Sequence, residues 1–392
     1  MQVTVVSLNG LQELSGGGLY LRSLVQGLLD TGAVRSMTVV SKNIQVQEPA
    51  FRHEAVHEQA LEKSVVQDVL ARMRLQPTFL GVHQAAIAAA CEPADLVVFH
   101  NSRSGLILNA LKRRFPGKKF LMASDNVEAD LLRQHRSGKR GLANLAARLE
   151  EFEIRRAEAC CLRADAMTFI TRADLQLFEA SYGRPAVTEI LPITVKAAAV
   201  RENAVDTRGR GYVLFTGHFG FQPNVDSLEV LLQVARVVNE GREPAAQIAF
   251  IVAGAGLDKL PPPGVVGVTY RSSPSVLEMD ALFSHASCYL APVLWGSGMK
   301  TKVAEALSYG LPVVALPNAG VGYEQLLADP ACALALRVVQ DVPGMVAGLK
   351  KCMAAATLPQ ARSVALQAYE TWYSSRAQGQ RFLGIFERLG LV

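Results

Sequence analysis

The chain has 392 residues, which at roughly 150 residues per domain predicts two to three domains. Half of the residues are hydrophobic and 19% are charged, so large cores are available and intrinsic disorder is excluded. With 31 glycines and 18 prolines the chain is neither collagen-like nor of low complexity, and its net charge of +5 comes without any nucleic-acid-binding motif.

The start, Met1-Gln-Val-Thr-Val-Val-Ser7, lacks a basic n-region and a signal-length apolar run, and reads as the first strand of a cytoplasmic protein. The longest apolar runs, such as Ile248–Ala253 and Leu311–Leu316, are strand-sized and far from the roughly 18–20 residues of a membrane span. Val3–Leu8 predicts a strand, followed by a glycine-rich turn and a helix over Gly18–Asp30. Met37–Ser41, Leu96–His100, Lys119–Ala123 and Ala166–Ile170 predict further strands, and Ala143–Leu162 has helical spacing. Lys196–Arg210 is polar, small and aperiodic, and reads as a linker. The alternation then restarts with strands over Gly211–Phe215, Ile248–Ala253, Ser287–Ala291 and Pro312–Leu316, and helices over Val225–Asn239 and Val303–Tyr309. Strands alternating with helices predict an α/β protein with two parallel, doubly wound, Rossmann-like domains facing a cleft, and ligands bound at the carboxyl ends of the strands.

Cys91, Cys160, Cys161, Cys288, Cys332 and Cys352 form no C-x-x-C pair and have no His at finger spacing. They predict buried thiols, with neither a disulfide framework nor a zinc site. Between Arg103 and Arg163 cations outnumber anions, with clusters at Lys112–Lys119 and Arg133–Arg156. Two readings stand: a solvated helical face, or a surface that meets anionic lipid or an anionic acceptor.

Three loops can hold chemistry. Gly16-Gly17-Gly18 lies between a strand and a helix, where backbone amides can approach an anion, although a plain tight turn explains it as well. Gly254-Ala-Gly256 lacks the third glycine and the later acidic residue of a dinucleotide fingerprint. Residues 292–317, PVLWGSGMKTKVAEALSYGLPVVALP, say more. A strand runs into Gly296-Ser297-Gly298, and a helix carrying Lys300, Lys302 and Glu305 follows, stopped by Gly310-Leu-Pro312. Lysines in a first helical turn oppose the helix dipole, so an anion is expected to compensate them, while Glu305 lies deep enough to accept bonds from sugar hydroxyls. The bland alternative is a Lys302–Glu305 surface pair.

Gly296-Ser-Gly-Met-Lys-Thr-Lys-Val-Ala-Glu-Ala306, with Gly310-Leu-Pro-Val-Val314, resembles the nucleotide-sugar loop and helix of GT-B glycosyltransferases, specifically those similar to glycosyltransferase family 4. The resemblance extends over nearly the whole chain. Gly16–Gly18 sits where the family keeps its N-terminal glycine loop, Asn126-Val-Glu128 resembles the segment facing the donor sugar, and Phe215-Thr-Gly217 with Gln222-Pro-Asn224 resembles the start of the C-terminal domain. It implies an acceptor-side domain over residues 1–195, completed by a C-terminal helix at about 370–392, and a nucleotide-sugar domain over 196–369. It also implies that Glu305 bonds the donor ribose, that Lys300 and Lys302 neutralise the departing diphosphate, and that amides near Ser297, Gly298 and Met299 hold its oxygens. Gly17, Gly18, Gly217 and His218 would complete the donor site. Asp125 stands where the family often has a His, and His100 could supply the missing imidazole, which makes Lys300, Asp125 and His100 the expected catalytic set.

The implied activity is transfer of a sugar, by default from a uridine nucleotide, to a sugar or lipid-linked acceptor in surface-polysaccharide or glycolipid assembly. The transfer would be retaining, independent of metal because lysine takes the metal's place and no Asp-x-Asp is present, and without a cofactor. The protein is expected in the cytoplasm, peripheral on the inner membrane face. The alternatives are a sugar-nucleotide 2-epimerase on the same fold and a non-catalytic sugar-nucleotide-binding subunit.

Overall fold

A computed structural model describes the chain except residues 47–48, 137–141, 197–210, 297 and 355–357. Residues Met1–Ile193 with Ser375–Val392 form one compact unit and Thr194–Ser374 the other. In chain order the first unit runs β1 (Gln2–Ser7), α1 (Gly16–Leu29), β2 (Ser36–Lys42), β3 (Val56–Leu61), α2 (Val65–Met73), α3 (Gln84–Cys91), β4 (Leu96–His100), α4 (Gly105–Arg114), β5 (Lys119–Ser124), α5 (Glu128–Arg136), α6 (Leu142–Cys161), β6 (Ala166–Phe169), α7 (Arg172–Tyr182) and β7 (Thr188–Ile190). The second runs β8 (Val213–Thr216), α8 (Gln222–Asn239), β9 (Phe250–Gly254), β10 (Val268–Ser272), α9 (Val276–His285), β11 (Cys288–Ala291), α10 (Thr301–Ser308), β12 (Val313–Ala315), α11 (Glu324–Ala328), β13 (Leu336–Val338), α12 (Val342–Cys352) and α13 (Leu358–Trp372). The last helix, α14 (Ser375–Leu389), returns to the first unit.

Each unit is a parallel α/β sheet. The first has the order β3-β2-β1-β4-β5-β6-β7, and β1 pairs with β4 in the register that sets Ser7 opposite His100. The second has the order β10-β9-β8-β11-β12-β13. Its central strands β8, β11 and β12 are buried along their whole length, as a sheet covered by helices on both faces requires. Strand order reverses between β1 and β4 in one sheet and between β8 and β11 in the other, and in open α/β sheets the crevice beyond such a switch point takes the ligand. The first core gathers Val6, Phe99, Phe120, Met122 and Phe169; the second gathers Phe215, Leu231, Val252, Leu290 and Val314.

Strands with unbroken apolar runs match their sequence signal closely, β4 residue for residue. β3 and β10 carry no such signal because they are edge strands: β3 fully buries only Leu61, and Val268 alone is buried in β10. Most of the expected linker, residues 197–210, lies outside the described residues.

Candidate active site

The loop after β11 is built by fixing its carbonyls. Gly296 and Gly298 take φ values of 119° and 68°, a region in which L side chains are strained, and so turn their carbonyls inward. Lys300 Nζ donates to Gly296 O at 3.1 Å and to Gly298 O at 2.7 Å. Asn318 Nδ2 donates to Gly296 O at 3.1 Å, and Trp295 Nε1 ties the loop to α8 through Asp226 Oδ2 at 2.7 Å. Buried Tyr323 clamps the loop to α10: its hydroxyl donates to Lys300 O and accepts from Ala304 N, both at 2.8 Å. Among the described residues the amides of Gly298 and Met299 have no acceptor, so two donors remain for a ligand. Ser297 lies outside the described residues.

Lys302 serves the fold more than an open anion site. Its ammonium donates to Thr216 O at 3.0 Å and Asn224 Oδ1 at 2.9 Å, 5.0 Å from the centre of the Phe215 ring. It thereby joins α10 to the end of β8 across the switch point. No ion pair joins Lys302 to Glu305 among the described residues, so the surface-pair reading fails. Burial holds both lysines down at about 8 and pushes Glu305 up to about 7, with Lys302 opposing the latter shift.

The loop after β8 lies beside this one. Gly217 abuts the Asn224 side chain, and exposed His218 accepts from Gly220 N at its Nδ1, 3.2 Å away. Gly254, with φ 142°, is pressed against this loop: a Cβ there would stand 1.8 Å from Gly217 O. Its glycine is thus explained by two loops meeting.

In the first unit, Ser15 caps α1 by accepting from Gly18 N at 3.2 Å, and the amides of Gly16 and Gly17 have no acceptor among the described residues. A Cβ on Gly18 would stand 2.0 Å from Glu13 O and one on Gly17 2.5 Å from the Asn9 side chain, whereas Gly16 faces open space. Two of the three glycines are therefore demanded by the loop itself.

At the ends of β4 and β5 a buried polar cluster forms. Asn101, held at φ 81°, donates from Nδ2 to Asp125 Oδ1 at 2.9 Å and to Glu128 Oε1 at 3.3 Å. Arg103 Nε donates to Glu128 Oε2 at 2.7 Å. Glu158 accepts from Ser102 Oγ, Glu128 N and Tyr182 OH, fixing both loops from beneath. Burial raises Asp125 to about 6 and also raises Glu128 and Glu158. Asp125 has 15% of its side chain exposed, against 7% for Glu128.

His100 departs from its expected role. It is wholly buried, edge-on to Tyr20, with Nδ1 2.8 Å from Ser7 Oγ, and burial depresses it to about 3. The ring has no solvent face and lies behind Asp125 (Nε2 to Oδ2, 3.9 Å). Asn101, Arg103, Glu158 and Tyr323 carried no local sequence signal for these roles, since each acts on a residue distant in sequence.

Residues 210–354 match the family model described as glycosyl transferases group 1. That stretch of the second unit is similar to the group 1 glycosyltransferases. No curated relative matches by sequence. Among solved structures the chain is similar to sucrose-phosphate synthase from Thermosynechococcus elongatus (14% identity, 99% of this chain and 98% of that one, TM-score 0.67). It is likewise similar to Anabaena HepE in complex with UDP (11%, 99% and 100%, TM-score 0.67) and to the lipopolysaccharide outer core galactosyltransferase WaaB (13%, 99% and 100%, TM-score 0.65). Both units of the chain thus follow the GT-B fold.

Proposed function

We propose that this glycosyltransferase moves a hexose from a uridine diphosphate sugar to a sugar or lipid-linked acceptor, by a retaining route that needs no metal. The observation that carries the reading is the segment Gly296–Glu305 at the switch point of the second sheet. There the amides of Gly298 and Met299, which have no acceptor among the described residues, lie beside the Lys300 ammonium, with the half-buried Glu305 further along the helix. Cleaving a sugar–phosphate bond builds negative charge on the departing diphosphate, and prearranged donors and a cation stabilise that charge as it grows. Glu305, ionised, accepts from the ribose hydroxyls. The cation that this segment offers to the diphosphate is Lys300. The bound UDP of HepE and the surface-saccharide substrate of WaaB support the choice of donor and acceptor class. Asp125 is the least buried carboxyl of its cluster at the ends of β4 and β5.

Incubation with labelled nucleotide sugars, with and without lipid-linked acceptor and with chelator, tests the proposal. Transfer or slow donor hydrolysis, indifferent to chelator, is the expected result. Epimer formation would assign the fold to a 2-epimerase, and binding without turnover would assign it to a non-catalytic subunit.

A further inference from the structure

Helix α2 is amphipathic in the wrong sense for a helix that only covers a core. Ser64 caps it with a reciprocal bond to Gln67, so its orientation is well fixed. Yet the residue it buries is Ala71, and Gln67 and Asp68 are its partly covered positions. The apolar stripe faces water: Val65 is 80% exposed, Val66 66%, Val69 52%, Leu70 41% and Met73 77%. At 100° per residue these five side chains fall within one face, the spacing that normally seeks a core. The stripe continues onto α6, which is tied to α2 by Arg72–Glu150 at 3.7 Å and exposes Leu149 and Phe152 at 53% each. Exposed cations border it: Arg74 at the end of α2 and Arg148 and Arg156 on α6, with Lys63 and Arg72 beside them in long ion pairs to Asp68 and Glu150.

We infer that this ridge is a docking surface for an anionic lipid bilayer, with the apolar side chains of α2 entering the headgroup region and the flanking arginines meeting lipid phosphates. A helix with one apolar face and cations beside it lies in a membrane interface with its apolar side sunk about 5–10 Å, and it needs only its own face to do so. A protein partner asks for more, since stable interfaces take about 20–30 residues a side and this ridge offers two short helical faces. The charge-rich stretch between Arg103 and Arg163 is a poorer candidate by itself. Several of its cations are already engaged: Arg103 with Glu128, Lys112 with Asp165, Arg133 with Asp130 and Glu151, and Arg155 with Glu151. The inference concerns where the protein sits and does not depend on the donor chemistry proposed above.

Vesicle flotation of the full chain tests it, comparing neutral phosphatidylcholine vesicles with vesicles that also contain phosphatidylglycerol. The wild type should float with the anionic vesicles, less so with neutral ones, and less as salt rises. Val66→Asp/Met73→Asp, both at exposed positions, should lower binding more than ten-fold with circular dichroism and donor hydrolysis unchanged. Arg113→Glu/Arg114→Glu, exposed on α4 inside the basic stretch, should retain most of it. The inference is overturned if the wild type ignores anionic vesicles, if the α2 variant floats as well as the wild type, or if the arginine variant alone loses binding. It is equally overturned if the α2 variant instead abolishes self-association seen by light scattering. Because flotation needs no turnover, a protein that binds vesicles but transfers no sugar would refute the activity and leave this surface standing.

Discussion

Lys300 and Glu305 belong to one segment but are separable by when their contacts matter. Lys300→Ala removes a cation set against charge that grows as the donor bond breaks, so kcat should fall by about two orders of magnitude. Glu305→Ala removes bonds present before and during the reaction, so donor KM should rise by on the order of ten- to a hundred-fold with a smaller loss in kcat. Steady-state kinetics of the folded variants distinguish the two, and wild-type constants in both would remove this loop from the donor site. Their ionisation adds a second expectation. In the free protein Glu305 sits up at about 7 and Lys300 down at about 8. UDP affinity should therefore peak between these values, weakening below as Glu305 gains a proton and above as Lys300 loses one. Calorimetric titration at a series of pH values reads both limbs, and Glu305→Gln should abolish only the acidic one; an acidic limb that survives the substitution assigns it to another group. Lys300 and Glu305 were legible in the sequence because they share a compact motif with the glycines that shape it. His100 was legible as a polar strand end but not as a buried one, since its cover comes from Tyr20 and Ser7, far away in the chain.

Elements carry the next constraint, because the loop after β11 keeps its shape through groups outside it. Tyr323→Phe would leave Lys300 O and Ala304 N without their buried partner and should cost about 1–3 kcal/mol, read as a lower denaturation midpoint. The glycine run before α1 separates packing from access. Gly18→Ala drives a Cβ into Glu13 O and must shift the loop, whereas Gly16→Ala meets nothing within 4 Å and should stabilise the first turn by up to about 1 kcal/mol. A Gly16→Ala protein with a raised Tm and a raised donor KM would show that the open side of this glycine is kept for the ligand. An unchanged KM would leave the run a structural turn. Strand β4 could be read from sequence because both its faces are buried, while β3 and β10 could not, because an edge strand alternates its exposure and carries no apolar run.

At the scale of the molecule the two units differ in how the chain closes them. Thr194–Ser374 is continuous, but the first unit is complete only when α14 returns to it. Gly27 on α1 accommodates Gln378, whose Nε2 donates to Ser23 Oγ at 3.1 Å and Pro192 O at 3.2 Å. Phe382, Ile385 and Phe386 are fully buried, and Arg388 reaches Glu189 at 2.7 Å. Helix α14 is thus needed by the first unit. Phe386→Ala should remove about 3–5 kcal/mol from it, a large part of the roughly 5–15 kcal/mol that typically holds a domain. Peptide-resolved hydrogen exchange should then show β1, β4 and α1 losing protection while β8, β11 and β12 keep theirs. UDP should act on the opposite half. At a hundred times its Kd it should add about 2.7 kcal/mol, seen chiefly in the peptides around Gly296–Glu305 and the end of β8. If Phe386→Ala instead lowers protection equally in both sheets, the molecule unfolds as one body and the C-terminal helix secures more than the unit it belongs to. If UDP protects only the first sheet, the donor site has been placed on the wrong unit.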